Sequence, residues 1–390
     1  MRRLPPEWQA LVPIMLTSTL VGMTFSLAMP LLSLSLERAG VDTLTIGLNT
    51  AMGGLGIFVV APFVARLVGL LGAVSCFRAA LAVTAACMLV FPLWIDPWFW
   101  MPVRLLFGCA GSLMFVLSEA AVNAMAPEAI RGRVLGVYAT LFSLGFVSGP
   151  LVLALAGSEG WAPFLLGSAM FLLGLVPASL LGPVGDRLAP EGGGSHRLLD
   201  TWRVAPLAMA GVFVYALLEA SQFALLLVYA LDRGMGERVA AALLSIWISG
   251  NILSQYPLGL LADRWPRRPI MAACAALACI GQLLVPLVAG MPALLWPLLV
   301  LLGGVMGGLY TLSLALIGER FRGADLTQAN TAFVMTFQLG TIVGPPYAGA
   351  IMQLAGVSSF PLTLVPPLAL LAVALAAGAR LAIRPGSADP

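Results

Sequence analysis

Twelve stretches of mainly apolar residues follow one another along this chain with little between them. They cover about 9–35, 45–66, 73–94, 99–123, 132–157, 161–183, 203–231, 239–262, 269–290, 293–317, 326–354 and 360–382. About 20 such residues span the hydrocarbon core of a bilayer as an α-helix. In lipid every backbone N–H and C=O must be satisfied within the segment, which leaves the helix as the form these runs can take. Only 9% of the 390 residues are charged, against about 25% in soluble chains. A soluble domain is thereby excluded, and the expectation is an all-α polytopic membrane protein.

One connection interrupts the rhythm. Residues 184–202, with Glu191-Gly192-Gly193-Gly194-Ser195-His196, read as a linker that divides the chain into six-helix halves, 1–183 and 203–390. His196, the sole histidine, lies in that linker and reads as solvated. The cysteines Cys76, Cys87, Cys109, Cys274 and Cys279 all fall inside apolar runs and read as small buried residues, with no disulfide or metal site. Every cationic residue is arginine. An inside N-terminus places sixteen arginines on the cytoplasmic side and only Arg38, Arg233 and Arg238 outside, with Arg104 within the membrane. The positive-inside rule then makes both termini cytoplasmic.

The two halves repeat. Gly145-Phe146-Val147-Ser148-Gly149-Pro150 in segment five recurs as Gly340-Thr341-Ile342-Val343-Gly344-Pro345 in segment eleven, 195 positions later. In each copy, two glycines on one face allow close helix contact and the proline permits a bend. Ala65-Arg66 corresponds to Asp263-Arg264, 198 positions later. The second of these loops, Gly259-Leu260-Leu261-Ala262-Asp263-Arg264-Trp265-Pro266-Arg267-Arg268, resembles the loop motif of the major facilitator superfamily. Arg104-Leu105-Leu106-Phe107-Gly108-Cys109-Ala110-Gly111 is similar to that superfamily's Arg-x-x-x-Gly-x-x-Gly motif. The run from Gly250 to Arg268, and that from Gly308 to Gln353, look most like its bacterial YcaD-like branch.

The resemblance implies twelve transmembrane helices in two halves, with helices one, four, seven and ten lining a central cavity. It also implies a secondary transporter of the bacterial inner membrane. The chain departs from the pattern at Ala65, where the motif has aspartate, and after Pro150, where the Gly-Gly pair of the antiporter subfamilies is missing. Asp263, Arg264, Arg267 and Arg268 are candidates for a cytoplasmic gate, with Asp263 placed to accept from amides at the N-terminus of helix five.

Charges at membrane depth cost about 2.5–3.5 kcal/mol each on the insertion scale and mark function by default. Three stand out: Arg104, Glu119 and Glu219. Glu119 falls near the cytoplasmic mouth, either as a structural partner of Arg131 or Arg133 or as a gate acid that trades arginines. Counted at about 1.5 Å per residue, Arg104 and Glu219 share a level, and a pairing across the cavity is expected; snorkelling of Arg104 to the outer interface is the rival. Tyr215 and Gln222 share a helical face with Glu219. Tyr310, Ser313, Thr17 and Thr24 are further polar candidates, against which stands the habit of Ser and Thr to bond their own helix carbonyls.

The function expected is transport of a small organic or amphiphilic solute by alternating access. If transport is proton-linked, Glu219 is the expected carrier. The alternatives are a lipid-translocating or non-transporting scaffold of the same fold and, more remotely, a polytopic membrane enzyme. No nucleotide-binding loop is present, no cofactor or nucleic acid is expected, and the expected state is a monomer.

Overall fold

The computed structural model describes residues 6–126, 131–179 and 198–382, and their regular structure is helical. The first-half helices are α1 (Pro6–Arg38), α2 (Thr43–Val60), α3 (Val64–Leu71), α4 (Ala73–Val90), α5 (Pro97–Met125), α6 (Arg131–Ala156) and α7 (Ala162–Ser179). The second-half helices are α8 (Leu198–Val204), α9 (Pro206–Asp232), α10 (Glu237–Arg264), α11 (Arg267–Val288), α12 (Pro292–Arg320), α13 (Gly323–Ala355), α14 (Phe360–Thr363) and α15 (Val365–Ala382). The expected linker lies outside the described residues as far as 197, His196 included; from Leu198 the chain is already helical.

Local chemistry sets several helix boundaries. Asp42 caps α2 by accepting from the Thr45 amide at 3.0 Å, and Asp96 caps α5 by accepting from Phe99 at 2.8 Å. Partial burial pushes the Asp42 carboxyl up, but the hydrogen bonds from Thr45 outweigh it and hold the group below its usual range. Pro62 sits in a short 3-10 turn (Ala61–Phe63) between α2 and α3, whereas Pro257, 195 positions later, lies inside the unbroken α10.

Among the described residues, eleven segments are long and apolar enough to cross a membrane. The expected segment 326–354 is α13, a continuous helix of 33 residues that falls short on apolarity. Gln338, the pair Pro345-Pro346 and several glycines dilute it. Its neighbours explain this composition: α13 packs along both α9 and α2, so much of its surface meets protein and needs no lipid-facing side chains.

The repeated glycines are contact points. A Cβ at Gly145 or Gly149 would run into the α1 backbone at Thr19 and Met23, and one at Gly340 or Gly344 would run into the α9 backbone at Phe213 and Leu217. Pro150 and Pro345 both lie inside helices that remain continuous. A second symmetric pair of seams joins α2 to α5 and α10 to α12. There Gly56 and Gly108 interlock in the first half, while Gly250 and Gly303 meet Val300 and Trp247 in the second. Gly-to-backbone packing of this kind replaces the hydrophobic drive that lipid removes.

Contacts between first- and second-half helices gather toward one end of the molecule, that of Arg38. There Arg38 pairs with Glu237, and it donates to the Ser158 carbonyl and hydroxyl, each at 2.9 Å. Ser158 in turn donates to Glu237 at 2.7 Å. Thr43 donates to the Gly349 carbonyl at 2.8 Å, Gly47 lies against Pro345 and Pro346, and Ser245 donates to the Val147 carbonyl at 2.8 Å. Asp263, at the far end of α10, is exposed and makes no hydrogen bond or ion pair among the described residues.

Candidate functional site

The polar centre of the second half is built on α9. Glu219 lies thirteen residues from either end of that helix and is half-buried. Tyr215, one turn earlier, donates to Glu219 Oε1 at 2.6 Å, and Asn251 Nδ2 on α10 donates to the Tyr215 hydroxyl at 2.9 Å. Gln255 extends the chain to Asn251 Oδ1 at 3.4 Å. Room for Asn251 comes from Gly307 on α12, where a Cβ would fall 2.6 Å from Asn251 Cγ.

Aromatic rings wall this network. The Tyr215 ring lies 5.5 Å from Tyr310 of α12 and 6.1 Å from Phe337 of α13, while Tyr310 sits 5.4 Å from Phe333 and 6.0 Å from Phe337. Offset and edge-on rings at these separations hold one another in place. Gln222, on the same face of α9, is 1% exposed and its Oε1 has no partner among the described residues.

Arg104 is elsewhere. It is 4% exposed in the seam of α2 and α5, where Nη1 donates to Thr50 Oγ1 at 3.3 Å and Nε and Nη2 have no partner among the described residues. The expected pair with Glu219 is therefore not formed, and Arg104 does not snorkel either. The two charges do not share a level. Helix α9 has 27 residues, about 40 Å at 1.5 Å per residue, so its midpoint lies deeper than Arg104, seven residues inside α5. Because the two charges stand on separate networks, the destabilisations of Arg104→Gln and Glu219→Gln are expected to add within about 0.5 kcal/mol in the double mutant. Thermal unfolding of the purified variants reads this; a double mutant more stable than Glu219→Gln alone would restore the pair.

The remaining candidates divide. Thr24 is fully buried and donates to its own helix at Leu20 O, 2.7 Å, with its methyl toward Gly167; it does not line the site. Thr17 likewise bonds Pro13 O, and buried Ser313 turns to Met271. Glu119 is accessible on α5, beside Ser118, which shares a 3.0 Å hydrogen bond with Tyr138. The Arg131 side chain lies outside the described residues, and Arg133 is exposed. Arg267 pairs with Glu319 at 2.8 Å and donates to Ala315 O at 2.8 Å, clipping α11 to the end of α12, while Arg264 is exposed and Arg268 half-buried. Among the described residues no group of three or more His, Cys, Asp or Glu could hold a metal.

Sequence reasoning missed Asn251, Phe333 and Phe337. Asn251 had one available signal: it and Gln255 are amides one helical turn apart in an apolar run, and the paired glycines Gly303-Gly304 and Gly307-Gly308 offer room for such a side chain.

The family model of the Major Facilitator Superfamily matches residues 14–205 and 207–390. The chain belongs to this superfamily. Its relatives include the MFS-type transporter Ent638_1421 of Enterobacter sp. strain 638, 25% identical over 284 residues and 72% of each chain. The MFS-type transporter YcaD of Salmonella typhi is 24% identical over 323 residues, 83% of this chain and 84% of its own. Among solved structures, the nucleoside transporter NupG superposes with a TM-score of 0.75 at 17% identity, covering 95% of this chain and 98% of NupG. A bacterial homologue of the human lysosomal transporter Spinster, inward-facing and unoccupied, gives 0.76 at 12% identity, covering 97% and 96%. These likenesses show the fold. As a superfamily member with many membrane-spanning helices, the protein is a multi-pass membrane transporter, the resemblance to YcaD-like members included.

Proposed function

We propose that the protein is a secondary transporter that moves a small organic or amphiphilic solute by alternating access, the two six-helix halves rocking about a site between them. The observation that carries this reading is the one-sided gathering of contacts between the halves at the Arg38 end. With that end outside, as the arginine distribution orients it, the arrangement is an outward-closed state whose cytoplasmic gate is parted. The exposed Asp263 fits this reading, since a latch at the N-terminus of α6 engages only when the cytoplasmic side closes. Glu219 is the carboxylate proposed to carry a proton where transport is coupled to one.

The test joins flux to accessibility. Proteoliposomes holding the purified protein are expected to show counterflow of at least one solute from a panel of small organic molecules. Single cysteines at the two ends should exchange accessibility when that solute is added. Asp263→Asn is expected to raise accessibility at its own end and lower it at the Arg38 end. Unchanged accessibility together with unchanged counterflow would remove Asp263 from the gate, and a panel without any counterflow would count against transport of this solute class.

A further inference from the structure

Among the described residues, the box around Glu219 holds a carboxylate and no cation. Tyr215 occupies only Oε1, and no ion pair reaches Glu219 among the described residues. The basic residues of α9, α10, α12 and α13 are confined to helix ends, at Arg238, Arg264 and Arg320. Helix α1, which packs on α9, carries no charged residue between Ala10 and Leu36. From the first half, Arg104 is withdrawn into the α2–α5 seam. A half-buried carboxylate in such surroundings either takes up a proton or meets a positive partner, and a cationic solute would supply the second.

The walls specify the kind of partner. Tyr215, Tyr310, Phe333 and Phe337 present ring faces and edges within about one ring-width of each other. Aromatic faces attract cations, ammonium groups especially, and most strongly when water is displaced; they also stack on an aromatic ligand. The Asn251–Tyr215–Glu219 hydrogen bonds hold the carboxylate in one orientation, so the ordering cost is met before the ligand arrives.

We propose that the transported solute is an organic cation with an aromatic or similarly apolar group, its charge seated against Glu219 and its body among Tyr215, Tyr310 and Phe337. This rests on the transporter reading above and narrows its substrate class. An anion would face the Glu219 carboxylate, and a neutral solute would leave that carboxylate without a countercharge.

Benzyltrimethylammonium, whose charge is permanent, is the probe, with benzyl alcohol and benzenesulfonate as uncharged and anionic counterparts. Calorimetric titration into the purified protein is expected to show the cation binding at least tenfold more tightly than the alcohol, with no binding of the sulfonate. Glu219→Gln should lose tenfold or more and Glu219→Asp should recover part of it. Tyr310→Ala should weaken binding while Tyr310→Phe retains it, all variants being monodisperse. A cation bound no more tightly than the alcohol, or bound equally by monodisperse Glu219→Gln, would overturn the proposal. Counterflow of a neutral or anionic solute undiminished in Glu219→Gln would also overturn it while leaving the transporter reading intact. Glu219-dependent cation binding in a protein that moves no solute would support the site and remove the transport reading.

Discussion

Replacing Gly47 with leucine is expected to hold the Arg38 end of the transporter open. Gly47 lies where α2 crosses α13, and a Cβ there would fall 2.8 Å from Pro346 Cα and closer still to the Pro345 carbonyl. Those are backbone atoms of a helix anchored to α9 by its own glycines, so they cannot yield as a side-chain tip would. Separation of the halves at that end relieves the overlap. Overpacking of this kind costs about 1–3 kcal/mol, which shifts a two-state ratio by about five- to 150-fold away from the closed form. Spin labels at Ala39 and Leu354 should report a longer distance population in Gly47→Leu. In Gly53→Ala, where a Cβ meets nothing within 4 Å, the distribution should stay as in the parent. A folded Gly47→Leu variant with the parent distribution would show that this crossing does not control closure.

The second large effect is expected at Glu219. If its carboxylate both carries the coupling proton and faces the solute's charge, Glu219→Gln should abolish uphill transport and also reduce solute exchange at least tenfold. The two losses are separable. Exchange that survives while gradient-driven movement disappears would assign Glu219 to proton carriage alone, with the solute held by the aromatic walls. Full gradient-driven transport in the mutant would remove both roles and turn attention to Glu119.

What could be read from the sequence followed from the strictness of the solvent. Lipid dictates helix length, so the apolar runs marked the helices closely: 239–262 was expected and Glu237–Arg264 observed. Close helix approach in lipid needs small residues, so Gly145, Gly149, Gly340 and Gly344 announced two seams that the structure contains. The site was less legible because its signals are tertiary. Phe333 and Phe337 look like packing residues until Tyr310 is found between them. Asn251 gains meaning only from a glycine 56 positions away. Arg104 and Glu219 were misplaced relative to each other because α9 is longer than the bilayer is thick. Segment 326–354 was identified as a helix correctly, and its dilution with polar residues records how much of it faces protein.

The cluster of Arg38, Ser158 and Glu237 has a consequence for the medium in which the protein works. The side chains of Arg38 and Glu237 remain 30% and 35% exposed, so dissolved ions reach the pair. Screening lengths shrink from about 10 Å at 0.1 M salt to about 3 Å at 1 M, and partly exposed pairs weaken accordingly. The glycine crossings beside it are uncharged and feel no such screening. Closure at this end therefore combines an ionic-strength-sensitive clasp with a salt-indifferent hinge. Rising salt on that side of the membrane loosens the clasp and moves the population toward the state that opens there, without altering the solute site.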